Sequence, residues 1–281
     1  MFLKEIVDKS IQFFKDKKIP SARLDAEILI SKALNLKRID LYLKFEQPLS
    51  EQEISKCREF IKRRSLGEPV AYIINEKDFF GHTFYVDKNV LIPRPETELL
   101  VEAAAQWAFQ YPEQELKILD LGTGSGCIAL SLLKKLPKAR ATLVDISVDA
   151  IEVAKQNAVN LGVLNRCDFL CSNATDLSFK NIFDIVIANP PYISVDSISL
   201  EENVKKYEPS LALFAEENGT SKIKAWAKKS KLAYLAHNGW MGFEIGHDQG
   251  QEILSFFQNE LEFPKSRIIK DYAGHDRHVV N

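Results

Sequence analysis

From Lys117 onward, short apolar runs alternate with longer stretches whose apolar positions recur at helical spacing. The runs at 117–121, 141–145, 168–171, 182–188, 240–245, 267–270 and 277–280 have strand length and β-branched content. The stretches at 127–136, 148–160, 221–236 and 249–258 have the period of amphipathic helices. Such alternation predicts an α/β fold: a parallel, Rossmann-like sheet with helices on both faces. Only residues 271–276 separate the last two runs, too few for a crossover helix, so these strands are predicted to pair antiparallel.

The first 75 or so residues show helical periodicity without interleaved strands. Leu3, Ile6, Val7, Phe13 and Phe14 form one apolar set, and Pro20-Ser21 opens a second helix with Ile28, Leu29 and Ala33 inward. Ser50 and Glu53 form a capping box before Ile54, Cys57 and Ile61, which share a face. Between Glu76 and Ile92 aromatic and β-branched residues flank Gly81, the pattern of a β-hairpin. The predicted organisation is a small helical domain at 1–75, a hairpin linker at 76–92 and an α/β domain at 93–281. The helix at 99–109 opens that last domain, with Pro95, Glu96 and Glu98 suited to its N-terminal turn.

Composition narrows the functional class. With 46% hydrophobic and 27% charged residues the chain resembles ordinary globular proteins. No apolar run approaches the roughly 18–20 residues of a membrane span, and the N-terminus lacks a signal-peptide layout, so a cytoplasmic protein is expected. A net charge of −2 provides no global basic field, so direct nucleic-acid binding is not expected. Lys62-Arg63-Arg64 and Lys134-Lys135 read as solvated helix ends. Cys57, Cys127, Cys167 and Cys171 do not make a disulfide framework in a chain this long, and Cys167 and Cys171 read as buried strand residues. His275 and His278 fall in a polar tail segment. No metal site is predicted.

The chemistry concentrates at two strand ends. Asp120-Leu121-Gly122-Thr123-Gly124-Ser125-Gly126 follows the first α/β strand and precedes a helix, where glycines admit close backbone approach and the helix N-terminus offers free N–H groups. The dinucleotide pattern Gly-x-Gly-x-x-Gly is not met, because Cys127 occupies the third glycine position, and no Gly-Lys-Ser/Thr follows for a P-loop. S-adenosylmethionine remains as the candidate cofactor. Asp145, ending the next strand, suits both ribose hydroxyls, and Asn173 with Ala174 falls where adenine is expected.

The second signal is Asn189-Pro190-Pro191-Tyr192, directly after the run 182–188. The Asn189 side-chain oxygen and the Pro190 carbonyl can accept the two N–H bonds of a planar amide or amine. The prolines fix φ and bring no competing N–H, and Tyr192 offers a stacking wall. The predicted reaction is methyl transfer to a nitrogen, with Asn189 and Tyr192 as catalytic candidates. This corner alone leaves DNA adenine, rRNA guanine and protein glutamine open as acceptors.

The chain as a whole resembles the HemK/PrmC methyltransferases. The resemblance runs through Ala22-Arg23-Leu24-Asp25-Ala26-Glu27, Gly67-Glu68-Pro69-Val70-Ala71-Tyr72-Ile73 and Leu91-Ile92-Pro93-Arg94-Pro95-Glu96-Thr97-Glu98. It continues through both strand-end motifs, Glu208-Pro209, Gly242-Phe243-Glu244-Ile245-Gly246 and Asp271-Tyr272-Ala273-Gly274-His275-Asp276-Arg277. It implies methylation at N5 of the glutamine in the Gly-Gly-Gln motif of peptide chain release factors. The cofactor would lie on Gly122–Gly126, Asp145, Asn173–Ala174 and Asn189, and the glutamine on Asn189, Pro190, Pro191 and Tyr192. The segment 93–97 would line the substrate entrance, or Arg94 would instead form a buried salt bridge. Glu244 and Arg277 would be structural. The helical domain would dock the release factor, and the protein would act as a monomer.

Overall fold

The helical period of the first 75 residues appears as helices Leu3–Asp16, Ala22–Ala33, Asp40–Leu43, Glu51–Ser65 and Val70–Ile74. The computed structural model describes residues 1–180, 182–195 and 202–281. The chain divides into two units, one of residues 1–76 with 202–207 and one of 77–201 with 208–281. In the helical unit Leu3, Ile6, Val7 and Phe14 bury against Leu29, Ile30, Ile54, Cys57 and Ile61. Phe13 lies off this stripe and is 40% exposed, and Ile30, not Ile28, takes the fully buried position on the second helix. The capping box forms: Ser50 Oγ accepts from Glu53 N at 3.3 Å and Glu53 Oε2 accepts from Ser50 N at 2.8 Å. These two bonds satisfy donors that the first helical turn leaves free. The basic run at 62–64 is only partly solvated. Arg64 turns inward, donating to Asp25 Oδ2 at 2.7 Å and to the Glu68 carbonyl at 3.2 Å. Asp25 is buried, and burial requires such a pairing of its charge.

In the second unit, β1 (Glu76–Phe79) and β2 (His82–Tyr85) make the hairpin, with Phe80 and Gly81 both at positive φ in its turn. The main sheet comprises β3 (Lys117–Leu121), β4 (Arg140–Asp145), β5 (Cys167–Cys171), β6 (Phe183–Ala188), β9 (Leu235–Glu244), β10 (Arg267–Lys270) and β11 (Asp276–Val280). Two short strands, β7 (Ile193–Ser194) and β8 (Phe214–Ala215), pair separately. Among the described residues the sheet has seven strands in the order β10-β11-β9-β6-β3-β4-β5. β3, β4, β5, β6 and β9 run parallel. β11 pairs antiparallel with both neighbours, because it inserts between β9 and β10.

Both faces of the sheet are covered, which explains the nearly continuous apolar runs. Ile118, Leu143, Ile185 and Ile187 pack on one face with helices Thr97–Ala108 and Cys127–Lys135. Leu119, Leu121, Val186, Met241 and Phe243 pack on the other, with Ile223 and Ile253 from the later helices. Those later helices, Ser221–Lys229 and Gly250–Ser255, each continue into a wider π turn, at Ser230–Tyr234 and Phe256–Glu260. Two sequence expectations are corrected here. Cys167 is half-buried and Cys171 exposed, since β5 is the sheet's edge. His278 is no tail residue: β11 carries it into the core with none of its surface exposed.

Candidate active site

Strand register brings the two motifs together. β3 pairs with β6 so that Leu121 faces Ala188, and with β4 so that Leu121 faces Val144. The next residues along are Gly122, Asn189 and, closing β4, Asp145, side by side at the carboxyl edge of the sheet. Strand order reverses here, with β4 on one side of β3 and β6 on the other, and open α/β sheets bind ligands at such a point.

The loop 122–126 is shaped by backbone that turns through the left-handed region at Gly122, Gly124 and Gly126. A Cβ on Gly122 would also come within 2.9 Å of the Trp226 indole. Thr123 N donates to the Val144 carbonyl at 2.9 Å, and Gly124 N donates to Asp145 Oδ2 at 2.9 Å. Ser147 N donates to the other Asp145 oxygen at 3.0 Å. Burial raises the Asp145 carboxyl, and these backbone donors oppose it. Asp120, beneath the loop, accepts from Thr123 Oγ1 at 2.7 Å and Ala129 N at 3.3 Å, both on Oδ2. Its Oδ1 is buried with no partner among the described residues. Complete burial pushes this carboxyl up to about 7.

One cavity joins the loop to the corner. Gly122, Thr123, Gly124, Ser125, Asp145, Asn173, Ala174, Asn189 and Pro191 line it. Gly126 stands behind, against Leu130, while Pro190 and Tyr192 are not on the cavity wall. Asn173 Oδ1 already accepts from Thr175 N at 3.2 Å and Thr175 Oγ1 at 3.1 Å, so its carbonyl is spent within its own turn. Sequence reading missed Trp226, which lines the cavity from helix Ser221–Lys229. In the sequence it reads as one more core aromatic of an amphipathic helix.

The corner itself rests on partners from distant segments. Asn189 Nδ2 donates to Thr97 Oγ1 at 3.2 Å, and Thr97 Oγ1 donates to Glu244 Oε2 at 2.6 Å. The Tyr192 hydroxyl donates to Glu244 Oε1 at 3.1 Å. Burial first, then the Glu244 charge, raises the Tyr192 phenol, so it stays a neutral donor. Gln249 Nε2 holds the Tyr192 carbonyl at 3.0 Å. Arg94 donates to the buried Glu208 at 2.6 Å, and Ile92 N donates to the second Glu208 oxygen at 3.2 Å. The salt bridge expected of the segment 93–97 therefore forms, and Pro93, Arg94 and Thr97 line the cavity.

Known proteins resemble this chain in sequence and in fold. Residues 5–74 match the family model for the PrmC N-terminal domain, and residues 96–205 match that for the methyltransferase small domain. The chain is 39% identical over 281 residues to the release factor glutamine methyltransferase of Chlorobaculum tepidum, spanning 97% of this chain and 94% of that one. It is 40% identical over 280 residues to the release factor glutamine methyltransferase of Leptospira interrogans, spanning 98% and 96%. The chain belongs to the release factor glutamine methyltransferase family. A solved structure of human methyltransferase 10 domain containing protein superposes with a TM-score of 0.53 over 72% of this chain and 89% of that chain, at 17% identity. At that identity the likeness speaks for the fold alone.

For a release factor glutamine methyltransferase family member, the cofactor is S-adenosylmethionine, and the residues present fit it. Loop backbone at 122–126 leaves no Cβ in the way of a close ligand at Gly124. Asp145 uses one bond per oxygen on the protein, and each carboxylate oxygen can accept another.

Proposed function

We propose that this chain transfers a methyl group from S-adenosylmethionine to the side-chain amide nitrogen, N5, of the glutamine in the Gly-Gly-Gln motif of peptide chain release factors. The observation that carries this reading is the 39–40% identity, over nearly the full length of both chains, to proteins of that name. Bound S-adenosylmethionine supplies an electrophilic methyl group and departs as S-adenosylhomocysteine.

The protein's own part is positioning and charge stabilisation. Gly122–Gly126 and Asp145 hold the cofactor's methionine and ribose ends, and Asn173–Ala174 border the adenine through backbone and apolar surface. Asn189 Oδ1 and the Pro190 carbonyl accept the two N–H bonds of the glutamine amide. An amide nitrogen is a poor nucleophile because its lone pair is delocalised. Two acceptors on its protons stabilise the positive charge that builds there and aim the nitrogen at the methyl carbon. No strong base is required, since the N–H acidifies as the N–C bond forms. Pro191 closes the cavity wall, and Tyr192 backs the corner from Glu244. Pro93–Thr97 edge the entrance for the substrate loop.

The helical unit serves as the docking module for the release factor, away from its reactive loop. The enzyme works as a cytoplasmic monomer on a protein rather than on nucleic acid. No helix among the described residues is long and apolar enough to cross a membrane. The test is transfer of labelled methyl groups to unmodified release factor, ribosomal RNA and DNA in parallel. Label confined to the release factor is expected, and label in either nucleic acid with none in the protein would overturn the reading.

A further inference from the structure

We infer that Glu244, acting through Thr97, sets which way the Asn189 amide faces, and is a positioning residue for the methyl acceptor. The inference rests on the reading of Asn189 as the residue that binds the glutamine amide. Its physical basis is a chain of donors and acceptors with one permitted direction. Glu244 ends β9, and both it and Thr97 are only 1% exposed, so water cannot stand in for either. A carboxylate has acceptors and no donor. Its Oε1 takes the Tyr192 hydroxyl proton at 3.1 Å, and its Oε2 takes the Thr97 hydroxyl proton at 2.6 Å.

Thr97 has one proton, and Glu244 has it. What Thr97 turns toward Asn189 is therefore lone pairs, which only the NH2 side of the amide can satisfy, at 3.2 Å. That leaves Asn189 Oδ1 for the cavity that the residue lines. Were the amide reversed, oxygen would face oxygen at Thr97, and an NH2 group would face the NH2 group of the substrate. The first arrangement loses a buried hydrogen bond, and the second presents donor to donor. One buried carboxylate thereby converts a side chain of two nearly equivalent orientations into an acceptor for amide protons.

His278 completes the surroundings of that carboxylate. β11 pairs with β9 so that His278 lies opposite Glu244, and its Nε2 is 3.6 Å from Oε2. At that distance the two are in contact without a hydrogen bond, and neither ring nitrogen has a hydrogen-bond partner among the described residues. Thr97 from the start of a helix and Tyr192 from the corner thus hold Glu244 by hydrogen bonds, while His278 packs beside it from an adjacent strand.

The test compares Thr97→Val, which keeps shape and removes the hydroxyl, with Thr97→Ser, which keeps the hydroxyl. The assay is steady-state methylation of a release factor, with calorimetric titration of S-adenosylhomocysteine alongside. Thr97→Val is expected to lower kcat about 100-fold, the scale of a misaligned reacting group. KM for the release factor and affinity for S-adenosylhomocysteine should stay within about threefold, because docking and the glycine loop are untouched. Thr97→Ser is expected to recover most of kcat. If Thr97→Val does not fold, Glu244→Gln in the same assay carries the test. With its one oxygen kept by the Tyr192 hydroxyl, the new side chain turns its NH2 toward Thr97, frees the threonine proton for Asn189 and should reverse that amide with a similar loss of kcat. Valine within twofold of the wild type, or serine as damaged as valine, overturns the inference. A wild type that labels the release factor while Thr97→Val labels it at a matching kcat removes this inference alone. A wild type that never labels it removes the functional reading and the inference together.

Discussion

The two ends of the cavity are built in opposite ways. At the cofactor end the groups that matter are mostly backbone, and they come from one short stretch, 120–126, plus the ends of the next two strands. At the acceptor end the groups are side chains, and the bonds that hold Asn189 reach 92 residues back to Thr97 and from there 147 residues on to Glu244. The first design tolerates sequence change wherever the backbone path survives. The second depends on individual atoms, and losing one proton donor redirects the rest. The cofactor end should therefore govern affinity, and the acceptor end should govern turnover.

The largest effect is expected where the designs differ most. Asn189→Ala should lower kcat about 1000-fold, on the scale of removing a preorganised charge-stabilising group. Affinity for S-adenosylhomocysteine, measured by calorimetry, should change less than about tenfold. A comparable loss in both would mean that the corner belongs to the cofactor site. Next, Gly122→Val reverses the pattern: φ is +68° there and the indole of Trp226 leaves no room for a Cβ. Cofactor affinity should fall at least about tenfold, a loss of roughly 1.4 kcal/mol. Turnover at saturating cofactor should recover.

A third prediction concerns the buried acid beneath the loop. Burial raises Asp120 from 3.8 to about 7, so the folded protein holds this proton where the unfolded chain has released it. The stability that Asp120 contributes is fully present below about pH 4 and is lost as pH rises through about 7. Denaturant unfolding of the cofactor-free protein should show this as a decline of up to about 1.4 kcal/mol per pH unit. Asp120→Asn should flatten that decline, because the amide keeps an acceptor for Thr123 and carries no titrating proton. An unchanged pH slope in the variant would sink the assignment. The smallest effect is at Trp226. Cofactor binding should change the intrinsic fluorescence, and Trp226→Phe should remove most of that change while weakening affinity about threefold, roughly 0.7 kcal/mol. Full signal in Trp226→Phe would place the cofactor elsewhere.

The same contrast decides what could be read from the sequence. The strand ends were legible because their signals are local: β3 runs from Lys117 to Leu121 in both readings, and the glycine loop and Asn189 follow their strands without a gap. Helix Val148–Asn160 is equally clear from its period, and in the structure Ser147 Oγ caps it by accepting from Ala150 N. Partners across the fold were not. Thr97 resembles any residue of a helix start, and Glu244 looks like a strand residue until register places it beside Tyr192 and opposite His278. His278 lies in the strand-like run 277–280 but within a polar tail segment, and nothing local announces that β11 inserts between β9 and β10 and so buries it. Asn173 was legible as a cavity residue but not as one whose oxygen Thr175 has already claimed.

The most direct measurement for the whole account is tandem mass spectrometry of a purified, unmodified release factor after incubation with this protein and S-adenosylmethionine. One added CH2 is expected on the glutamine of the Gly-Gly-Gln motif, absent when that glutamine is replaced by alanine and absent with Asn189→Ala. A methyl group found on another residue, or none on the protein while the cofactor is bound, would contradict it.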